Sequence, residues 1–157
     1  MAEAATLHAS VALVGARAIL IRGPAGSGKS RLALELIEAA QSGRLRFARL
    51  VADDRVKLEA CHGRVLARPP EALKGLIEVR GLGIRRIAYE PVAVVGLVVD
   101  LAASDAERLP AQVREAAIAD IRLPRLAVAS AQDPLPAVLA SLATAEVGPE
   151  PVNMSKK

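Results

Sequence analysis

The sequence predicts an α/β domain, a mixed β-sheet with flanking helices, on three observations. The stretch "RGPAGSGKSR" (residues 22–31) lies between an apolar run and an amphipathic one, so a strand feeds a glycine-rich turn that opens a helix. Further short apolar runs are bounded by Gly, Pro or paired acids, which is the pattern of strands. Hydrophobic residues make up 52% of the 157, enough for one packed core.

The elements follow in order. "ASVALV" (9–14) and "AILIR" (18–22) read as strands joined by a tight turn at Gly15. "SRLALELIEAAQ" (30–41) reads as a helix, with Leu32, Ala33, Leu36, Ile37 and Ala40 on one face and Gly43 just beyond its end. "ARLVADD" (48–54) reads as a buried strand ending in two acids. "RVKLEA" and "RVLARP" form a hairpin around His62 and Gly63, closed off by Pro69-Pro70. "GLIEVRGLGI" (75–84) combines a short strand with a glycine-rich bend. "VAVVGLVVDLA" (92–102) is the most apolar strand, and "RLPRLAVAS" (122–130) is a weaker one. Asp133 and Pro134 supply the N-cap and first position of a last helix, 134–145. The predicted division is a catalytic domain over 1–146 and a flexible tail over 147–157.

Composition narrows the partners. Phe47 and Tyr89 are the only aromatic residues, so the core is aliphatic, and aliphatic contacts must hold any nucleotide base. The net charge of +4 comes from scattered arginines without interleaved aromatics, which argues against nucleic acid. That charge suits ATP and an acidic protein partner. Cys61 is the only cysteine, so no internal disulfide forms. The apolar run from Pro91 is too short to cross a bilayer, and the N-terminus lacks a signal-peptide pattern, so a cytoplasmic location without membrane contact is expected.

The chemistry is concentrated at residues 23–30. Gly23, Pro24, Ala25, Gly26, Ser27, Gly28, Lys29 and Ser30 fit G-x-x-x-x-G-K-[ST], a loop whose backbone N–H groups curl around phosphates at a helix N-terminus. Lys29 reaches the β- and γ-phosphates of ATP, and the Ser30 hydroxyl holds Mg²⁺. The loop does not name the phosphoryl acceptor. Two acids compete for the role beside the metal: Asp100 after "VVGLVV", and the pair Asp53-Asp54 after "RLVA". On extended backbone the side chains of such a pair diverge, one towards the metal and one towards the acceptor. Spacing alone leaves the choice open.

The order "LHASVAL", "GPAGSGKS", "LVADDRV", "IEVRGLGI" resembles the catalytic domain of HPr kinase/phosphorylase, from about Leu7 to Val128. It is similar to the short form known from alphaproteobacteria. The resemblance implies a phosphate-loop domain of the HPr kinase/PEP carboxykinase-like type. It implies ATP-dependent phosphorylation of a serine on HPr, the phosphocarrier of the sugar phosphotransferase system, together with phosphate-dependent removal of that group, and a hexameric assembly. It makes Asp54 the base that exchanges a proton with the target serine, with Asp53 in support and Asp100 a strand-end residue. It makes Glu78 the Mg²⁺ ligand alongside Ser30, His8 the active-site histidine, and Arg108 the arginine that neutralises charge on the moving phosphoryl group.

The sequence also departs from the family pattern. Ala9 follows His8 where the family has glycine, and Pro110 replaces the glycine after the arginine segment. "ASAQDP" (129–134) stands where the family has a basic, glycine-containing loop tied to dephosphorylation. The rival readings are a nucleotide-binding regulator without transfer and a small-molecule kinase.

Overall fold

The computed structural model describes residues 6–106 and 114–144. The strands are β1 (Thr6–Leu7), β2 (Ser10–Val14), β3 (Arg17–Arg22), β4 (Ala48–Ala52), β5 (Val56–Cys61), β6 (Arg64–Arg68), β7 (Leu76–Val79), β8 (Gly83–Arg86), β9 (Ala93–Asp100), β10 (Glu115–Ile118) and β11 (Ile121–Ala127). The helices are α1 (Lys29–Gln41) and α2 (Pro134–Ala143).

β3 lies where two kinds of pairing meet. It runs parallel to β9, with Ile21 opposite Val99, and antiparallel to β2, with Ser10 opposite Ile21. β9 is also parallel to β11 through Val98–Asp100, and β6 joins the start of that same edge. Beyond β2 comes β4, and beyond β6 come β5 and β1.

Both faces of this sheet are covered, as the apolar strands require. Alternation along β3 sends Ala18 and Leu20 to one face and Ile19 and Ile21 to the other. The first face packs on Val56, Val65 and Ala67 of the antiparallel hairpin and on Ala116 and Ile118 of β10. The second packs on Leu32, Ala33 and Leu36 of α1 and Leu135 and Val138 of α2. Each fully buried Leu or Ile contributes roughly 1.5–3 kcal/mol.

α1 differs from its expected face in one position. Ala39 is buried and Ala40 only half-buried, because the stripe runs Leu32, Leu36, Ala39 as well as Ala33, Ile37. Gly43 follows the helix with φ +83, a left-handed conformation open to glycine. Asp133 caps α2, its carboxylate accepting the Leu135 N–H at 3.2 Å.

The stretch read as a short strand and a bend is a hairpin, β7–β8, forming its own two-stranded sheet. Its root packs through Ile77 against Ile37 and Leu50, while Leu82 and Ile84 project into solvent. β10, expected neither as strand nor as helix, pairs with β11. The tail 147–157 lies outside the described residues. Among the described residues no helix is long and apolar enough to cross a membrane.

Candidate active site

The glycine loop joins the end of β3 to α1. Gly26 and Gly28 have φ of +77 and +97, which only glycine adopts readily, and Gly28 forms the helix N-cap. A Cβ on Gly23 would stand 2.5 Å from Ser27 Oγ and 3.1 Å from the Leu101 carbonyl, so the chain passes too closely for a side chain. Lys29 folds back over the loop and donates from Nζ to the carbonyls of Gly23 (2.8 Å) and Pro24 (3.1 Å). Ser27 Oγ is buried without a partner among the described residues.

On the β4 side, one carboxylate organises everything. Asp53 is 4% exposed and follows the last residue of β4. Its Oδ1 accepts from Ser10 Oγ at 2.6 Å, and its Oδ2 accepts the Glu78 backbone N–H at 2.9 Å. Ser30 Oγ lies 2.7 and 2.9 Å from the two oxygens. Ser30 therefore gives its one proton to Asp53 and keeps its lone pairs for a cation. Ser10 reaches Asp53 because β2 and β4 are ladder neighbours, with Val11 opposite Ala52. Sequence reasoning missed Ser10, although a serine inside the apolar run "ASVALV" was the available signal.

Asp54 behaves differently. The pair was expected to diverge on extended backbone, but Asp54 has φ +68 and Arg55 N–H bonds back to the Asp53 carbonyl at 2.8 Å. That is a three-residue turn of the rare positive-φ kind, which Asp tolerates better than most residues. The turn leaves Asp53 buried and Asp54 exposed, with Asp54 Oδ1 3.5 Å from His8 Nδ1. His8 lies between β1 and β2, so the start of β2 and the end of β4 bring it to the acid.

Glu78 is on β7 with its residue exposed, and its backbone N–H is tied to the carboxylate that holds Ser30. The root of this hairpin is closed by Ile87 N–H to the Gly75 carbonyl at 2.8 Å, under the Tyr89 ring. Both expected metal ligands thus hang on Asp53. Arg108 lies outside the described residues.

The β9 side carries a ladder of charges that sequence reasoning also missed. Asp100 accepts two bonds from Arg22, Nε at 2.7 Å and Nη2 at 2.8 Å, and another from Arg125 Nε. Arg125 also grips Asp105 with two bonds, 2.8 and 3.0 Å. Burial pushes the Asp100 carboxyl up, but the guanidiniums of Arg22 and Arg125 outweigh it and hold the carboxyl below its ordinary range. The bonds to Asp105, and then the one to Asp100, raise the Arg125 guanidinium further. Asp100 is a strand-end acid engaged by arginines, and Asp53 is the one that meets the loop serine.

A family model of the HPr Serine kinase C-terminal domain matches residues 1–146. The chain belongs to this family. It is 34% identical over 140 residues to HPr kinase/phosphorylase of Geobacillus thermodenitrificans, covering 82% of this chain and 43% of that protein. It is 42% identical over 84 residues to HPr kinase/phosphorylase of Clostridium beijerinckii, covering 54% of this chain and 26% of that protein. The chain thus spans less than half the length of these curated relatives. The HPr(Ser) kinase/phosphatase structure from Coxiella burnetii superposes with a TM-score of 0.69 at 26% identity, over 88% of this chain and 93% of that one. The curled mixed sheet with flanking helices is therefore the fold of the HPr kinase C-terminal domain.

Proposed function

We propose that this domain transfers the γ-phosphoryl group of ATP to a serine side chain of an HPr-type phosphocarrier. The observation that carries the reading is the adjacency of Asp53 and Asp54. The first holds the serine of the phosphate loop, and the second turns outward beside His8, where a partner's hydroxyl can approach. The names of the relatives and of the Coxiella burnetii structure support HPr as that partner.

The phosphates of ATP lie along the backbone N–H groups of 23–30. Lys29 exchanges its bonds to the Gly23 and Pro24 carbonyls for phosphate oxygens. Ser30 and Glu78 would hold a magnesium ion, which when bound offsets the negative charge of the phosphates. Asp54 takes the proton of the attacking serine as its oxygen bonds to the γ-phosphorus and the bond from the β–γ bridging oxygen breaks. His8 orients the Asp54 carboxylate, and Arg108 is assigned to the charge on the moving group. Catalysis comes from positioning and charge complementarity. Assembly of the domain into hexamers is tested by its mass in solution.

The decisive experiment incubates the protein with ATP, Mg²⁺ and HPr and reads phosphoserine by mass spectrometry. Phosphoseryl-HPr supports the reading, and unmodified HPr at every protein concentration overturns it. Inorganic phosphate added afterwards tests reversal. The residues 128–134 contain no Lys or Arg, which favours a second reading for that half of the chemistry: nucleotide binding without phosphate-dependent removal.

A further inference from the structure

Among the described residues only two polar residues are buried, Ser10 and Asp53, and they bond each other. The rest of β2 is apolar, so an alanine or valine would suit position 10. A buried hydroxyl costs free energy unless it is hydrogen-bonded. Ser10 meets that condition at the Asp53 carboxylate, 2.6 Å away.

The Asp53 carboxylate is pegged at both ends. Ser10 donates to Oδ1, and the Glu78 backbone N–H donates to Oδ2. Each peg is anchored in a strand, Ser10 opposite Ile21 of β3 and Glu78 opposite Ile84 of β8. With a fixed donor on each oxygen, the carboxylate cannot turn about its Cβ–Cγ bond without breaking a bond. Ser30 faces this fixed edge, 2.7 and 2.9 Å from the two oxygens. Its one proton stays on Asp53, and its lone pairs keep one direction. Without Ser10 the carboxylate swings about its bond to Glu78, and the Ser30 hydroxyl follows. His8, two residues away, meets the other acid, Asp54. The two contacts are separable: Ser10 serves the acid behind the loop serine, and His8 serves the acid that faces outward.

We propose that Ser10 is a positioning residue for the cation site: through Asp53 it aims the Ser30 lone pairs at the ion that accompanies the nucleotide phosphates. The inference rests on the reading of residues 23–30 as an ATP·Mg²⁺ site. It gives Ser10 no contact with ATP, the ion or the phosphoryl acceptor. Losing the Ser10 hydroxyl therefore weakens the cation's contribution to binding and leaves metal-free nucleotide affinity alone.

The test measures ATP binding to the whole chain by calorimetry twice, with Mg²⁺ in excess and in EDTA. The ratio of the two dissociation constants reads the cation's contribution. A merely structural residue moves both constants together. Ser10→Ala should cut the ratio by about threefold to tenfold, with the EDTA constant within about twofold of the parent's. Ser10→Thr and Ser10→Val share one shape, so crowding in the core is common to both, and only the first keeps the hydroxyl. The ratio for Ser10→Thr should exceed that for Ser10→Val by about threefold or more, and this pair decides the matter should Ser10→Ala fail to fold. An unchanged ratio in Ser10→Ala, or equal ratios in the Thr and Val variants, overturns the inference while the ATP·Mg²⁺ site stands. A parent chain that binds ATP no tighter with Mg²⁺ than in EDTA, or not at all, overturns the reading of that site and this inference together.

Discussion

The two flanks of the glycine loop are stabilised in opposite ways. On the β4 flank one buried carboxylate, Asp53, collects two hydroxyls and a backbone N–H. On the β9 flank two carboxylates and two guanidiniums alternate, Arg22, Asp100, Arg125 and Asp105, with every member partly open to water. Neutral donors around a single acid leave its negative charge without a paired cation among these bonds and leave the serine lone pairs free for a cation. Paired ions fix the strand ends firmly and leave little net charge there.

Substitutions can break this comparison or sharpen it. The largest effect is expected at Asp54. Asp54→Asn keeps a residue that tolerates φ +68 but removes the proton acceptor. Phosphoserine formation falls roughly 10²- to 10⁴-fold while calorimetry shows ATP binding little changed. Near-normal transfer by this variant ends the assignment of the base.

Next comes Asp53→Ala, which strands Ser10 and the Glu78 N–H without their acceptor. Unfolding in urea should show a loss of about 3 kcal/mol. A loss below about 1 kcal/mol means that the hub is not structural.

Asp100→Asn is smaller and depends on pH. Its carboxyl is held below the ordinary 3.8, so its pairing stabilises the fold above that pH and is lost as pH falls through the lowered folded value. The urea midpoint of the variant should lie below the parent's at pH 7, and the gap should close on acidification to the carboxylate range. A gap that is constant or widens in acid contradicts the ladder.

The smallest effect is expected at the tip of β7–β8, where Leu82 is 67% exposed. Leu82→Ser should change stability by less than about 0.5 kcal/mol. A larger loss would mean that the hairpin is held by more than its root.

The legible parts of the molecule are those whose signal is local. The β3–loop–α1 unit follows from glycine spacing and helical periodicity, and α2 from Asp133 and Pro134. β8 is exposed along its whole length and carries no alternation to read. β10, "EAAI", has no strand signature of its own and exists because β11 offers it an edge. At the site, the pair after β4 was visible, but the division of labour within it depends on a turn that reverses the chain at Asp54. The charge ladder was invisible because Arg22, Asp100 and Arg125 lie far apart in sequence, and only the parallel pairing of β3, β9 and β11 assembles them.

The seam at β3 has a consequence for how such a protein can change. Loops at the carboxyl ends of β9 and β11 grow from strands that share no hydrogen bonds with β2 or β4. Insertions or exchanges there can alter one side of the glycine loop while the Asp53 contacts on the other side stay in place. A chimera that swaps residues 128–134 alone would reshape that side without touching the ladder of β2 and β4.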